Sequence, residues 1–253
     1  EEMGRALLPG PFLPAIVPVA TTIARVGRPE QRQELLPPII RGERIVTWAG
    51  QEPAARYDPL AVATSLQEEH GTLVLRGTKL FVAYASVANA FLVVARDGAG
   101  FSLVLVENRL PGVETTELVV VDRSKQAEVS FHDVRVLPAA ILGERGQAQA
   151  AIERALAEWT VATCAWMVGA MERAFEMAVD YSKTRVQFGR PIGSFQALQH
   201  KAANMLVDVE GARLVTFQAA SALRSGQSAE REVAIAKGWT SDASRRVTTE
   251  AHQ

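Results

Sequence analysis

The residues best suited to chemistry lie in one stretch, Tyr181-Ser182-Lys183-Thr184-Arg185-Val186-Gln187-Phe188-Gly189-Arg190-Pro191-Ile192-Gly193-Ser194-Phe195-Gln196. The pattern predicts a helix end, with Arg185 and Phe188 three residues apart on one face. A break at Gly189-Arg190-Pro191 follows, and then a new helix opening with Phe195-Gln196. An arginine offers a rigid donor fork matched to phosphate, and a phenylalanine offers an apolar face for an aromatic ring. On spacing alone a second reading stands: Arg185 caps a helix C-terminus and Phe188 is core.

Three compositional regions would have to position these groups. All twelve prolines lie at or before Pro191, seven of them within residues 1–43. There Pro29 marks a helix start, Leu35, Leu36, Ile39 and Ile40 supply its apolar side, and Gly42 closes it. Residues 44–140 change to short β-rich runs: Leu73–Leu75, Phe91–Val94, Leu103–Val106, Leu118–Val121, and Val129 to Val136. Gly77-Thr78 fits a two-residue hairpin turn. In a strand of period two, Phe81 and Ala83 would share a face with Lys79, with Leu80 and Val82 on the other. The spacing predicts a small β sandwich or barrel. From about residue 147 a proline-free helical period of about 55 Å runs to residue 184. Val161, Cys164, Ala165, Val168, Met171, Phe175 and Ala178 form its apolar stripe. Helices over 196–225 and 228–253 follow, and short connections make them antiparallel. The expected architecture is α+β and multidomain: N-terminal helices (1–43), a middle β domain (44–140) and a C-terminal antiparallel helical bundle (141–253).

Composition narrows the function. The 253 residues are 48% hydrophobic and 22% charged, with 27 Lys plus Arg against 28 Asp plus Glu and a net charge of −1. That balance argues against a nucleic-acid binder. One cysteine excludes an internal disulfide, and four scattered histidines offer no zinc-ligand spacing. No apolar run approaches the ~20 residues of a membrane span, and no signal-peptide pattern opens the sequence, so a cytoplasmic protein is expected. Glu1–Leu8 reads as the middle of a helix, and Arg246–Gln253 stops within one. A longer parent protein is therefore expected.

The Tyr181–Gln196 stretch resembles the flavin-binding signature of the acyl-CoA dehydrogenase family. Three further segments agree in order and spacing. Trp48-Ala49-Gly50-Gln51-Glu52-Pro53-Ala54-Ala55-Arg56-Tyr57-Asp58 resembles the family's aromatic-x-x-Thr-Glu-Pro-x-Ala-Gly-Ser-Asp run. Lys79-Leu80-Phe81-Val82-Ala83-Tyr84-Ala85 resembles its Lys-x-Trp/Phe-Ile-Thr-Asn-Gly run. Val129–Val136 resembles the strand leading out of its β domain. The resemblance implies FAD as cofactor, an acyl-CoA substrate, dehydrogenation to a trans-2-enoyl-CoA, and electron transfer to an electron-transfer flavoprotein. It also implies a dimer or a dimer of dimers, homomeric or heteromeric, as in fatty acid metabolism. Trp48, Gly50 and Gln51 would border the isoalloxazine, with Tyr57 between flavin and thioester and Phe81, Val82 and Ala83 beside the ring. Arg185, Gln187, Phe188, Gln196 and Gln253 would reach the diphosphate and adenosine of FAD in a neighbouring subunit.

The sequence also departs from that family. Its reaction takes an α-proton with a glutamate. That residue commonly lies beyond position 253, or in some branches on the long helix before an arginine. Here those helix positions are Trp159-Thr160, and Glu158, turned by about 100°, is expected on a solvated surface. No catalytic residue is assigned. Ala83 replaces a Thr or Ser, Gln51 replaces a Thr, and Ala55-Arg56-Tyr57 adds bulk in place of Ala-Gly-Ser. A catalytically silent FAD-holding subunit and an oxygen-using flavoenzyme are the alternatives.

Overall fold

The computed structural model describes residues 1–253 except Tyr57, Ala99 and Gln227. The chain divides into two units: Gly10–Leu156, and Ala157–Gln253 joined by Glu1–Pro9.

The first unit opens with helices α2 (Phe12–Ala15), α3 (Thr21–Val26) and α4 (Pro29–Ile40), with a π-helical stretch, Ile16–Ala20, between the first two. Pro29 stands at the first turn of α4, where its missing N–H costs nothing. The Arg28 guanidinium donates to the carbonyls of Ala139, Ile141 and Gly143 at 3.0–3.2 Å. It ties this helix to the chain leaving the sheet.

Eight strands follow: β1 (Val46–Ala49), β2 (Ser65–Glu69), β3 (Thr72–Ala83), β4 (Ala90–Asp97), β5 (Gly100–Glu107), β6 (Val113–Leu118), β7 (Gln126–Val136) and β8 (Ile141–Leu142). They form one sheet in the order β6-β7-β3-β2-β4-β5-β8, and β1 pairs in parallel with β4. The sheet doubles over on itself. Phe91 of β4 meets Phe131 of β7 edge to face at 6.5 Å, although β3 and β2 stand between those strands in the ladder. Both rings belong to a core cluster with Leu66, Leu75, Val82, Val93, Val104 and Val129. A small β layer folded over one core agrees with the sandwich or barrel expected from the strand spacing, and β6 and β8 stand at the two ends of its strand order.

Three local expectations are corrected. The hairpin turn is at His70-Gly71 (φ 49° and 78°), between β2 and β3, and not at Gly77-Thr78. Gly77 lies inside β3 at φ 146°, where a Cβ would sit 2.4–2.7 Å from Thr64 atoms. Glycine is there for close approach and an irregular register, with no reversal of the chain. The strand expected over Leu118–Val121 lies earlier, at β6, and Val119 and Val121 are fully exposed. Finally, Phe81 does not share a face with Lys79. Lys79 pairs with Val129 and Val82 with Ala127, so three steps on β3 oppose two on β7. This β-bulge puts Lys79 and Val82 both inside and turns Phe81 out.

The second unit holds α5 (Gln149–Thr184), whose first turns belong to the β unit, then α6 (Gln196–Ser225) and α7 (Glu230–His252). Val168 and Met171 of α5 meet Met205, Val209 and Ala212 of α6, and Ala243 and Val247 of α7. Val161 and Cys164 meet Ala219, Leu223 and Ala236. Rising numbers on α5 face falling numbers on α6, and α6 does the same against α7. The helices are therefore antiparallel, as expected. Glu1–Pro9 contains a single helical turn, α1 (Glu2–Arg5). Arg5 pairs with Glu176 and Glu172 of α5, and Glu1 with Arg213 of α6.

Candidate flavin site

Within the β unit, Trp48, Gly50, Gln51, Phe81, Val82 and Ala83 come together where the end of β1 meets the bulge of β3. Leu80 donates its N–H to the Gln51 carbonyl at 2.9 Å, and the Thr47 hydroxyl donates to the Ala83 carbonyl at 2.8 Å. Phe81 is 56% exposed at φ 52°, and Tyr84 follows at φ 56°. Side chains with a Cβ avoid that region, and such conformations cluster at functional sites. The Tyr84 hydroxyl accepts the Gly10 N–H at 2.9 Å.

The other members are unequal. Trp48 and Val82 are core residues, buried in backbone and side chain alike. Gly50 lies against the Trp48 indole, where a Cβ would stand 2.4 Å from the ring nitrogen. Gln51 is exposed, and its amide donates to the Arg56 carbonyl at 3.0 Å. Arg56 sits at φ 48°, at the position where the resembling motif has a glycine. Tyr57 lies outside the described residues.

Glu52 and Lys79 were not singled out in the sequence. Lys79 is wholly buried, Glu52 nearly so, and their charged groups are 2.5 Å apart. The Glu52 carboxylate also accepts the N–H groups of Ala63 (2.7 Å) and Thr64 (3.0 Å), and Lys79 reaches the Gly50 carbonyl at 3.3 Å. Burial pushes the Lys79 ammonium down to about 8, against the pull of Glu52. Burial opposes ionisation of Glu52 as well. There the adjacent ammonium and the two backbone donors prevail and hold the carboxyl below its usual range. The pair is therefore charged at neutral pH. A lysine within an apolar strand and a glutamate before proline were the signals in the sequence.

In the helical unit, α5 ends at Thr184, so Arg185 and Phe188 do not share a helix face. They stand on a hairpin of β9 (Val186–Gln187) and β10 (Arg190–Pro191). Phe188 turns the corner at φ 52° and is 91% exposed, which removes the core reading. Its ring meets Phe195 edge to face at 6.1 Å, and Arg190 lies over Phe195 at 4.1 Å. The Arg185 guanidinium and the side-chain amides of Gln187 and Gln196 are exposed, with no partner among the described residues. Gln253 follows α7 and accepts from Lys201 at 3.2 Å. Glu158 is half-buried on α5, as are Trp159 and Thr160, in place of the solvated surface expected for that carboxylate. Among the described residues no cluster of His, Cys, Asp or Glu could hold a metal.

The β unit thus presents an exposed aromatic, Phe81, beside Ala83, and the helical unit presents Arg185, Gln187 and Gln196 side chains without partners among the described residues. Residues 47–134 match the model of the acyl-CoA dehydrogenase middle domain, and residues 146–253 that of the acyl-CoA dehydrogenase C-terminal domain. The chain belongs to the acyl-CoA dehydrogenase family. It is 31% identical over 243 residues to the short-chain specific acyl-CoA dehydrogenase of Megasphaera elsdenii, covering 92% of this chain and 63% of that protein. The ChsE4-ChsE5 complex from Mycobacterium tuberculosis is similar at 30% identity and a TM-score of 0.88, covering 98% of this chain and 66% of that one. A structure of PigA with FAD and proline gives 26% identity and a TM-score of 0.89, covering 94% and 64%. The chain thus spans just under two thirds of the length of these relatives. Among the described residues no helix is long and apolar enough to cross a membrane.

Proposed function

We propose that this chain is the FAD-holding part of an acyl-CoA dehydrogenase, oxidising an acyl-CoA to its trans-2-enoyl-CoA and passing electrons to an electron-transfer flavoprotein. The observation that carries the reading is Phe81, turned out of the core by a bulge beside Ala83 and braced by the Gly50–Gln51 segment. A ring so presented offers a wall for an isoalloxazine, and the exposed Gln51 amide supplies hydrogen bonding along its edge. Gly50 leaves room for the Trp48 indole beside that edge. Arg185, Gln187, Phe188 and Gln196 form a separate recognition element, a charged fork and amides flanking an aromatic ring, suited to the diphosphate and adenosine. On this reading the hairpin of one protomer serves the FAD seated on the β wall of its neighbour, with Gln253 continuing that cradle. The three-part division at residues 43 and 140 belongs to the same reading. Bound FAD supplies the hydride acceptor; the chain supplies binding, orientation and exclusion of water.

The test is direct. The full-length protein, isolated yellow, should be bleached anaerobically by one or more of a panel of straight-chain and branched acyl-CoA thioesters. A colourless protein that takes up no FAD would overturn the assignment.

One observation favours a second reading, a silent subunit that holds FAD beside an active partner. The α5 positions that carry Glu-Arg in some branches of the family are Trp159 and Thr160 here, both half-buried. A yellow protein that no thioester bleaches, but that does so when mixed with a partner subunit, would support that alternative.

A further inference from the structure

The Glu52–Lys79 pair has no part in the flavin contacts above, yet it lies directly behind them. An ion pair with both members buried is an unusual choice for stability. Desolvation consumes most of the Coulombic gain, and an apolar pair of similar volume commonly does as well or better. What such a pair does supply is geometry, because each charged group fixes several partners at once. The carboxylate of Glu52 gathers Lys79 from β3 and the N–H groups of Ala63 and Thr64 from the segment entering β2. Lys79 in turn reaches back to the Gly50 carbonyl. Glu52 follows Gln51 directly, and Lys79 stands one residue before the Leu80 N–H that binds the Gln51 carbonyl. The pair therefore clamps the Gly50–Gln51 segment to the strand at the point where the bulge begins.

We propose that the buried Glu52–Lys79 pair is a positioning device that sets the Gly50–Gln51 edge against the Phe81–Ala83 bulge and so fixes the shape of the flavin wall. This rests on the flavin reading of the site. The sheet would still form without the pair, since Leu66, Leu75, Val82 and Val129 hold the core around it. The edge of the wall would lose its register.

The experiment compares full-length wild type with Glu52→Gln, Lys79→Met and the double variant, reading thermal midpoint, FAD dissociation constant and the absorption spectrum of bound flavin. The double variant removes both charges together, so its thermal midpoint should return toward wild type. Its FAD dissociation constant should nevertheless rise tenfold or more, with shifted flavin bands. If folded variants bind FAD with wild-type affinity and spectrum, or lose flavin only in proportion to lost folded protein, the pair is a structural element alone and the proposal fails. Wild-type protein that takes up no FAD would overturn the flavin reading and this inference together; wild-type uptake with unchanged variants would overturn the inference alone.

Discussion

Arg185 and Glu52 show how differently two charged residues are used. Arg185 is exposed, and its guanidinium has no partner among the described residues, so its donors are free for an anion. Arg185→Ala should weaken FAD binding by about 1.5–3 kcal/mol, roughly 10- to 150-fold, without lowering the thermal midpoint of the apoprotein. Flavin content after gel filtration and apoprotein melting check both halves. Glu52 is the reverse case, buried and bound on every side. Its folded pKa lies below the ordinary value of 4.5, so the stability it contributes is fully present above that pH. It is lost as pH falls through the folded value. In denaturant titrations below pH 4.5 the wild type should lose more stability per pH unit than Glu52→Gln. Equal slopes would show that Glu52 does not carry this linkage.

At the scale of elements, the bulge of β3 matters most. Without it, period two would place Phe81 on the face of Lys79, toward the core. One extra residue against β7 reverses that and turns the ring out. The other irregularity in this strand lies at Gly77, where backbone φ and the nearness of Thr64 leave no space for a side chain. Gly77→Ala should destabilise the β unit by about 1–3 kcal/mol, measured by urea unfolding, because Thr64 and its segment would have to move. A change within ±0.5 kcal/mol would show that the strand relaxes freely there. In the helical unit the stripe from Val161 to Ala178 on α5 was legible because helix period and burial agree along its length. The hairpin at Phe188-Gly189 was not, since a short run after a helix fits a capped end as well as a turn. The misplaced strand at Leu118–Val121 has a similar cause: a run of valines satisfies β propensity whether or not anything pairs with it.

For the whole molecule, the consequential prediction is that the flavin is held by two copies. Phe81→Asp and Arg185→Ala injure different halves of the proposed site. Mixed and reassembled, the two variants should regain flavin content above either parent, because a hybrid dimer contains one site with both halves intact. No gain on mixing, with hybrids demonstrated by native mass spectrometry, would place both halves of the site in one protomer. The same logic extends to heteromers, where the hairpin of this chain would serve a partner's flavin.

Sequence by itself determined the order of helices, β layer and antiparallel bundle, because hydrophobic period and proline placement are local and cumulative. It also carried the family resemblance, since four motifs in order are legible without coordinates. Tertiary structure alone decided that Lys79 faces Glu52, that Phe81 faces outward, and that Trp48 and Val82 are buried. Each of these turns on a single inserted residue or on a contact between segments distant in sequence, and a one-residue change of phase in a strand exchanges its two faces.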